Sequence, residues 1–336
     1  MLELALVVTI LVAVAFDFTN GFHDTANAIA TSISTRALSP HQAVLISAAL
    51  NLVGAVVTVA FFQAKVSNTI GGIVAIKAGL VVIVAALLGA MFWNLLTWYL
   101  GLPSSSTHAL VGGLVGAGTA AAGGIGGVKW DAVGKILLAL VTSPPAGFLT
   151  AGIFMTVLLL AVHRMRPAPL NRTFRFLQVL AAAFVSFSHG GNDAQKTMAA
   201  ITLALVAGGQ LHKFGPPPIW VVLLSATAIA FGTYAGGWRI IRTLGWRIYK
   251  LDPATGMGAQ LMGATVIQAA SQLGLPVSTT HVITGSVMGA GAPIRLSALR
   301  WGVGANIVTA WILTIPAAAA VAWVAFAILH TAGLRG

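Results

Sequence analysis

The chain has 336 residues, 58% of them hydrophobic and only 7% charged, with a mean hydropathy of +0.94. A soluble domain of this length carries about a quarter charged residues, so an ordinary soluble enzyme is excluded. The excess of 18 Lys and Arg over 6 Asp and Glu would suggest nucleic acid in a soluble protein. In a chain this apolar, basic loops instead fix orientation in a bilayer, and no nucleic-acid partner is expected. With no cysteine, disulfides, haem attachment and thiolate sites are ruled out, and no cofactor is expected.

The first half reads as five elements, at roughly 2–35, 41–62, 79–100, 103–125 and 131–162. The first opens with Glu3 and no basic residue, unlike a cleaved signal peptide, so it is expected to be a transmembrane helix. It is too long for one simple span and is expected to break near Asn20-Gly21, just before Asp24. No charge occurs from Ala78 to Val128, room for more than one crossing of about 20 residues. The fourth element opens with Pro-Ser-Ser-Ser-Thr-His at 103–108, and the fifth contains Pro144-Pro145, where a further break is expected.

A basic linker at 163–172 follows, which divides the chain into units 1–162 and 173–336. Five more elements are expected at roughly 173–209, 218–237, 255–274, 276–292 and 297–330, with breaks at Gly190-Gly191 and Pro316. Broken helices can count as two each, so a count of twelve helices is compatible with ten crossings.

The halves repeat. LPSSSTHALVGGLVGAG at 102–118 matches LPVSTTHVITGSVMGAG at 275–291, and NGFHDTANAIAT at 20–31 stands where HGGNDAQKTMAA at 189–200 stands. Trp130 pairs with Trp301 and Pro144 with Pro316 at nearly the same offset. Internal duplication is a common transporter architecture, and an odd number of crossings per half makes the halves inverted. With the N-terminus outside, inside loops carry Arg36, Arg164, Arg166, Arg172, Arg175, Arg239, Arg242, Arg247, Lys250, Arg295 and Arg300. Outside segments carry only Lys65, Lys77, Lys129, Lys135, Lys213 and Arg335. The expected fold is therefore an all-α integral membrane protein of the cell membrane, multi-pass, with two inverted-topology repeats of about five crossings, broken helices and both termini outside.

Few charges remain within the membrane, and such charges usually mark a pathway or ion site. They are Asp24, Asp193 and Lys196, with Asp17 close by. Asp24 and Asp193 occupy equivalent places after glycine-containing segments. A broken helix exposes carbonyls that bind a cation, and a carboxylate beside them suits Na⁺ or takes up a proton. A carboxylate there also serves as a helix cap, but its duplication favours the functional reading. Asp17 has no acidic counterpart, Ser186 standing in its place, and is left out. The His23-Asp24 pair lacks the further ligands of a metal site.

The two hydroxyl turns are expected to open helices. Proline suits a first helical turn, and free N–H groups with the positive dipole end attract anions. Ser104, Ser105, Ser106 and Thr107 from one half, and Ser278, Thr279 and Thr280 from the other, are the candidate anion ligands. Gly112, Gly113, Gly116 and Gly118 are read as helix-packing residues. His108 and His281 are paired too; because histidine as a residue type titrates near neutrality, they are candidates to orient the hydroxyl turn, relay protons or bind the anion, with a ring satisfied by a carbonyl as the alternative. Asn94 and Gln268 are further candidates, with interhelical hydrogen bonding as their alternative role, and Gln195 is a further candidate.

The runs GFHDTANA, HGGNDAQKT, LPSSSTH and LPVSTTH resemble the signatures of the PiT family of inorganic phosphate transporters, over nearly the whole chain. The resemblance implies an inverted-repeat fold, cation-coupled uptake of inorganic phosphate and homodimers. It makes Asp24 and Asn27 cation ligands, with Na⁺ at Asp24 and Asn27, makes Asp193 their second-half partner, and assigns phosphate to the serine and threonine turns. Two departures stand out. Lys196 replaces the asparagine that would match Asn27, so its ammonium is expected to neutralise Asp193 or touch phosphate. Gln260 stands where many relatives resemble one another in having glutamate.

The function expected is symport of phosphate with Na⁺ or H⁺ by alternating access. Three rivals are weighed. A sulfate permease of the same fold is disfavoured if a carboxylate touches the anion, because sulfate has no proton to donate. An intramembrane hydrolase would need a serine with a positioned base, which the duplicated Ser-Thr-His run fits less well than a two-sided binding site. A non-transporting receptor would leave the matched buried acids unexplained.

Overall fold

The computed structural model describes residues 2–74 and 79–334; Lys77 and Arg335 lie outside the described residues. The described residues form twelve α-helices. The first half contributes α1 (Leu2–Ser34), α2 (Pro40–Phe62), α3 (Lys65–Gly71), α4 (Leu80–Leu100), α5 (Ser106–Ala122) and α6 (Trp130–Val162). The second contributes α7 (Pro167–Ala207), α8 (Ile219–Ala235), α9 (Trp238–Arg242), α10 (Pro253–Gln272), α11 (Thr279–Arg295) and α12 (Trp301–Thr331).

Five of these, α1, α2, α4, α6 and α12, are long and apolar enough to cross a membrane, and α8 with the segment through Arg247 makes a sixth, bent by 60°. Buried polar groups concentrate on two helices: α7 holds Gln178, His189, Asn192, Asp193, Gln195 and Lys196 in the interior, and α1 holds Asp17, Asn20, His23, Asp24 and Asn27. Outer helices show the reverse pattern. Leu138, Val141, Leu149, Ile153, Val157 and Leu160 of α6 are exposed, the apolar face that a helix turns to lipid.

The expected breaks are not where glycine and proline stand. Helix α1 runs unbroken through Asn20-Gly21, α7 through Gly190-Gly191, α6 through Pro144-Pro145 and α12 through Pro316. The glycines serve close approach instead. A Cβ on Gly21 would collide with the Ile229 carbonyl of α8, and one on Gly190 with the backbone of Asn51 on α2. Helices without side chains at the crossing pack backbone to backbone. Interior prolines are compatible with membrane helices, where neighbouring groups and local adjustments can re-satisfy the freed carbonyls. The chain leaves helical form at the hydroxyl motifs. Residues 102–105 and 275–278 are extended, joining α4 to α5 and α10 to α11.

Matched hydrogen bonds link the halves crosswise. Lys65 before Thr69 in α3 donates to the Gln272 carbonyl at the end of α10, 3.1 Å, while Arg239 of α9 donates to the Tyr99 carbonyl at the end of α4, 2.7 Å. Thr69 donates to the Gly274 carbonyl (2.7 Å), and Thr243 to the Gly101 carbonyl (2.8 Å). Within each half a further matched pair forms: the Lys129 amide bonds the Ile73 carbonyl (2.8 Å), and the Arg300 amide that of Ile248 (3.1 Å). Helix packing is exchanged in the same way: α2 lies on α7 and α8 on α1, α5 on α12 and α11 on α6. Each short helix thus caps the end of a long helix from the other half, satisfying terminal carbonyls that would otherwise lack partners.

Candidate functional site

Helices α5 and α11 begin inside the bundle, at the ends of the two extended segments. In each, a serine caps the first turn: Ser105 Oγ accepts from the His108 amide (3.2 Å) and Ser278 Oγ from the His281 amide (3.3 Å). The helices start three residues later than Pro103 and Pro276 led the sequence reading to expect: the prolines stand before the helix, and the serines act as its caps. The two starts touch, because Thr107 donates to the Val277 carbonyl at 3.1 Å.

Asp24 and Asp193 come to the same place from α1 and α7. One Asp24 oxygen accepts from Ser106 at 3.0 Å; the other accepts from Thr280 at 3.3 Å and lies 2.6 Å from His23 Nδ1. Asn27 donates to Thr280 (2.9 Å) and Thr279 (3.4 Å). Lys196 Nζ bonds Asp193 Oδ2 at 2.7 Å and Ser106 Oγ at 2.9 Å. Asp24, Asp193, Lys196, Asn27, Ser106 and Thr280 are each at most 1% exposed. Charges within a membrane protein's apolar interior are costly, and the 2.7 Å pairing of Lys196 with Asp193 lets the two offset each other.

The other expected residues divide. Ser104 joins the edge of the site, 2.7 Å from Thr97 Oγ1 and 3.3 Å from His23 Nε2. Asn94 is buried one turn from Thr97 with neither amide atom bonded. His108 and His281 stand beside each other with ring centroids 4.5 Å apart, and His281 stacks on Trp311 at 3.6 Å. Their rings thus lie against one another and against an aromatic face. Gln195 is a structural cap: its Oε1 accepts from the amides of Val66 and Ser67 at the start of α3, and its Nε2 donates to the Gly191 carbonyl. Gln268 is half-buried on α10, with an unpartnered Oε1. Gln260, buried, donates to the Ala28 carbonyl at 2.7 Å and so binds α10 to α1 just beyond Asn27.

The structure adds residues that the sequence reading passed over. His189 Nε2 lies 3.3 Å from Asp193 and 4.0 Å from Asp24, and its Nδ1 is held 2.9 Å from Asn51 Oδ1. Ligand atoms of Asp24, His189 and Asp193 lie within 4.8 Å of one another. The expectation that Asp24 lacks further metal ligands is therefore corrected, since packing of α7 against α1 supplies them. The donor set of two carboxylates and an imidazole fits a cation, with the Lys196 ammonium competing for Asp193. His23, bonded to Asp24, is linked onward to Thr97 at 3.1 Å. The available signal was position: His189 occupies the place of Asn20, one turn ahead of Asp193 as Asn20 is ahead of Asp24.

Residues 20–322 match the model of the phosphate transporter family. The chain belongs to this family. It is 48% identical to a "Probable low-affinity inorganic phosphate transporter" of Rhizobium meliloti (strain 1021), over 94% of this chain and 93% of the relative. A protein of the same description from Bacillus subtilis (strain 168) is 42% identical, over 98% of this chain and 99% of the relative. A solved structure titled "The sodium-dependent phosphate transporter" superposes with a TM-score of 0.90 at 27% identity, over 98% of this chain and 99% of that one. Members of the family are phosphate transporters, not enzymes, and the helical, lipid-facing architecture described above is that of a multi-pass membrane protein.

Proposed function

We propose that this phosphate transporter is a symporter, coupling inorganic phosphate to a cation by alternating access between two inverted repeats. The observation that carries the reading is the position of Ser106. Its hydroxyl lies between the Lys196 ammonium and the Asp24 carboxylate, at 2.9 and 3.0 Å, at the start of a helix. Cationic, anionic and helix-dipole groups thus share one buried point. Phosphate takes the Lys196 ammonium, the hydroxyls of Ser104–Thr107 and Ser278–Thr280 and the helix starts, which supply donors. The cation takes Asp24, Asn27 and Asp193, which supply acceptors. Neutralising the anion with a cation lowers the cost of carrying it through a low-dielectric interior.

The crosswise bonds of Lys65 and Arg239 support the repeat as two inverted units, 1–162 and 173–336, joined by the basic linker 163–172 on the cytoplasmic side, with both termini outside. One repeat unit rocks against the rest around the fixed site. Sodium is favoured over a proton as coupling ion by the sodium-dependent structural neighbour. The homodimer belongs to the same proposal.

Sulfate is the competing cargo. Phosphate at neutral pH keeps a proton that it can donate to Asp24, whereas sulfate would meet the carboxylate as an unpaired like charge. Uptake of radiolabelled phosphate challenged with excess sulfate tests this. Uptake persists if the reading is right, and suppression equal to that by unlabelled phosphate contradicts it.

A further inference from the structure

The two hydroxyl turns are tied together at one point by Thr107, which donates to the Val277 carbonyl at 3.1 Å. Trp311 of α12 ties them at a second. Its indole N–H donates to the Pro103 carbonyl, immediately before Ser104, at 3.1 Å. Its ring stacks on His281, immediately after Thr280, with centroids 3.6 Å apart and planes inclined by 25°. His281 in turn lies 4.5 Å from His108, the residue after Thr107. A single side chain thus holds a residue beside each set of candidate phosphate ligands.

Pro103 is buried in extended backbone, and the indole supplies the donor that a buried carbonyl outside a helix needs. Thr314, one turn further along α12, accepts from Trp93 of α4 at 2.8 Å. That bond anchors α12 to the helix leading into the Ser104 turn. The other repeat lacks this clamp. Leu140 stands ten residues after Trp130, as Trp311 stands ten after Trp301. The packing agrees: Gly285 abuts the Pro144 carbonyl, four residues after Leu140, as Gly112 abuts that of Ile315, four after Trp311. Leucine in the matched place can neither donate a hydrogen bond nor stack.

We infer that Trp311 is a positioning residue that sets the spacing between the two hydroxyl turns, and with it the size of the tetrahedral oxyanion that fits between them. Ligands discriminate by size only when packing and hydrogen bonds behind them hold them still. Phosphate and arsenate have like charge and protonation, and arsenate is the larger. The bond to Pro103 and the stack on His281 hold the turns at the spacing of the smaller anion. The inference rests on the assignment of the turns to phosphate above and adds to it a residue that acts through them.

Phosphate uptake into liposomes, inhibited by graded arsenate, gives the ratio of the arsenate inhibition constant to the phosphate KM. Trp311→Phe keeps a ring against His281 and removes the donor, whereas Trp311→Leu copies the other repeat and removes both. The ratio is expected to fall several-fold in Trp311→Phe and further in Trp311→Leu, with a raised phosphate KM and little change in maximal uptake per inserted protein. A mere loss of folded protein lowers maximal uptake and leaves the ratio alone. Trp311→Phe, the milder change, decides the test if Trp311→Leu fails to insert. A wild-type ratio in the variants that insert would overturn the inference, whatever their uptake. Ser106→Ala with a wild-type phosphate KM would instead overturn the assignment of the turns to phosphate, and this inference with it.

Discussion

Lys196 and Asp193 form a buried ion pair of 2.7 Å within one turn of α7, and the same ammonium reaches Ser106 on the other repeat at 2.9 Å. The lysine stands where the first-half motif has Asn27, so the two repeats present unlike partners to one site. Lys196→Asn is expected to free Asp193 for a cation and to remove the ammonium from phosphate. The cation-to-phosphate ratio should rise, and phosphate affinity should fall about tenfold or more, since a hydrogen bond to a charged group contributes about 1.5–3 kcal/mol. Stoichiometry from reversal potentials in liposomes checks it; an unchanged ratio together with unchanged affinity refutes the assignment.

Asp24 accepts from both hydroxyl turns, one oxygen to each. Asp24→Asn keeps the size but loses the charge, and uptake should disappear while the protein still inserts and purifies normally. Transport at the wild-type rate would remove the carboxylate from the mechanism.

Ser105 and Ser106 are neighbours with different work. Ser105 caps α5, whereas Ser106 bridges Lys196 and Asp24. Ser105→Ala should lower thermal stability, by about 1 kcal/mol, with a modest change in transport. Ser106→Ala should raise the KM for phosphate several-fold with little change in melting temperature. Equal effects of the two variants on both readouts would contradict the division.

The crosswise caps place Lys65 and Arg239 at opposite ends of the bundle if the repeats are inverted. The chain has no cysteine, so single cysteines at 65 and 239 can be read without background. In oriented membranes an impermeant thiol reagent should label them from opposite sides, residue 65 from outside. Labelling of both from one side would rule out inversion.

Gly190 lies against the backbone of Asn51 where α7 crosses α2. Gly190→Ala forces the helices apart and should destabilise the protein by about 1–3 kcal/mol, read as a lower melting temperature in detergent. Gly126, with open space around it, should accept alanine without such a loss.

What the sequence made legible is local. The duplicated motifs located two helix starts to within three residues of Ser106 and Thr279, because proline and hydroxyl residues act within a single turn. Asp24, Asp193 and Lys196 were visible because charge is rare in an apolar chain. The reading failed where the outcome depends on the neighbouring helix. Glycines at 21 and 190 read as breaks, yet they are contact points, and only the position of α8 and α2 distinguishes the two. Gln195 read as a site residue because of its motif, but α3 folds back to take its side chain as a cap. His189 joined the site through the packing of α7 on α1.

The central claim is that phosphate movement is driven by a cation bound at the Asp24 site. Purified protein in liposomes, with phosphate inside and out and a sodium or pH gradient imposed at fixed membrane potential, measures it directly. Inward phosphate accumulation that follows the cation gradient, and that is absent with Asp24→Asn, is the predicted result. Phosphate equilibrating without regard to either gradient would contradict the account.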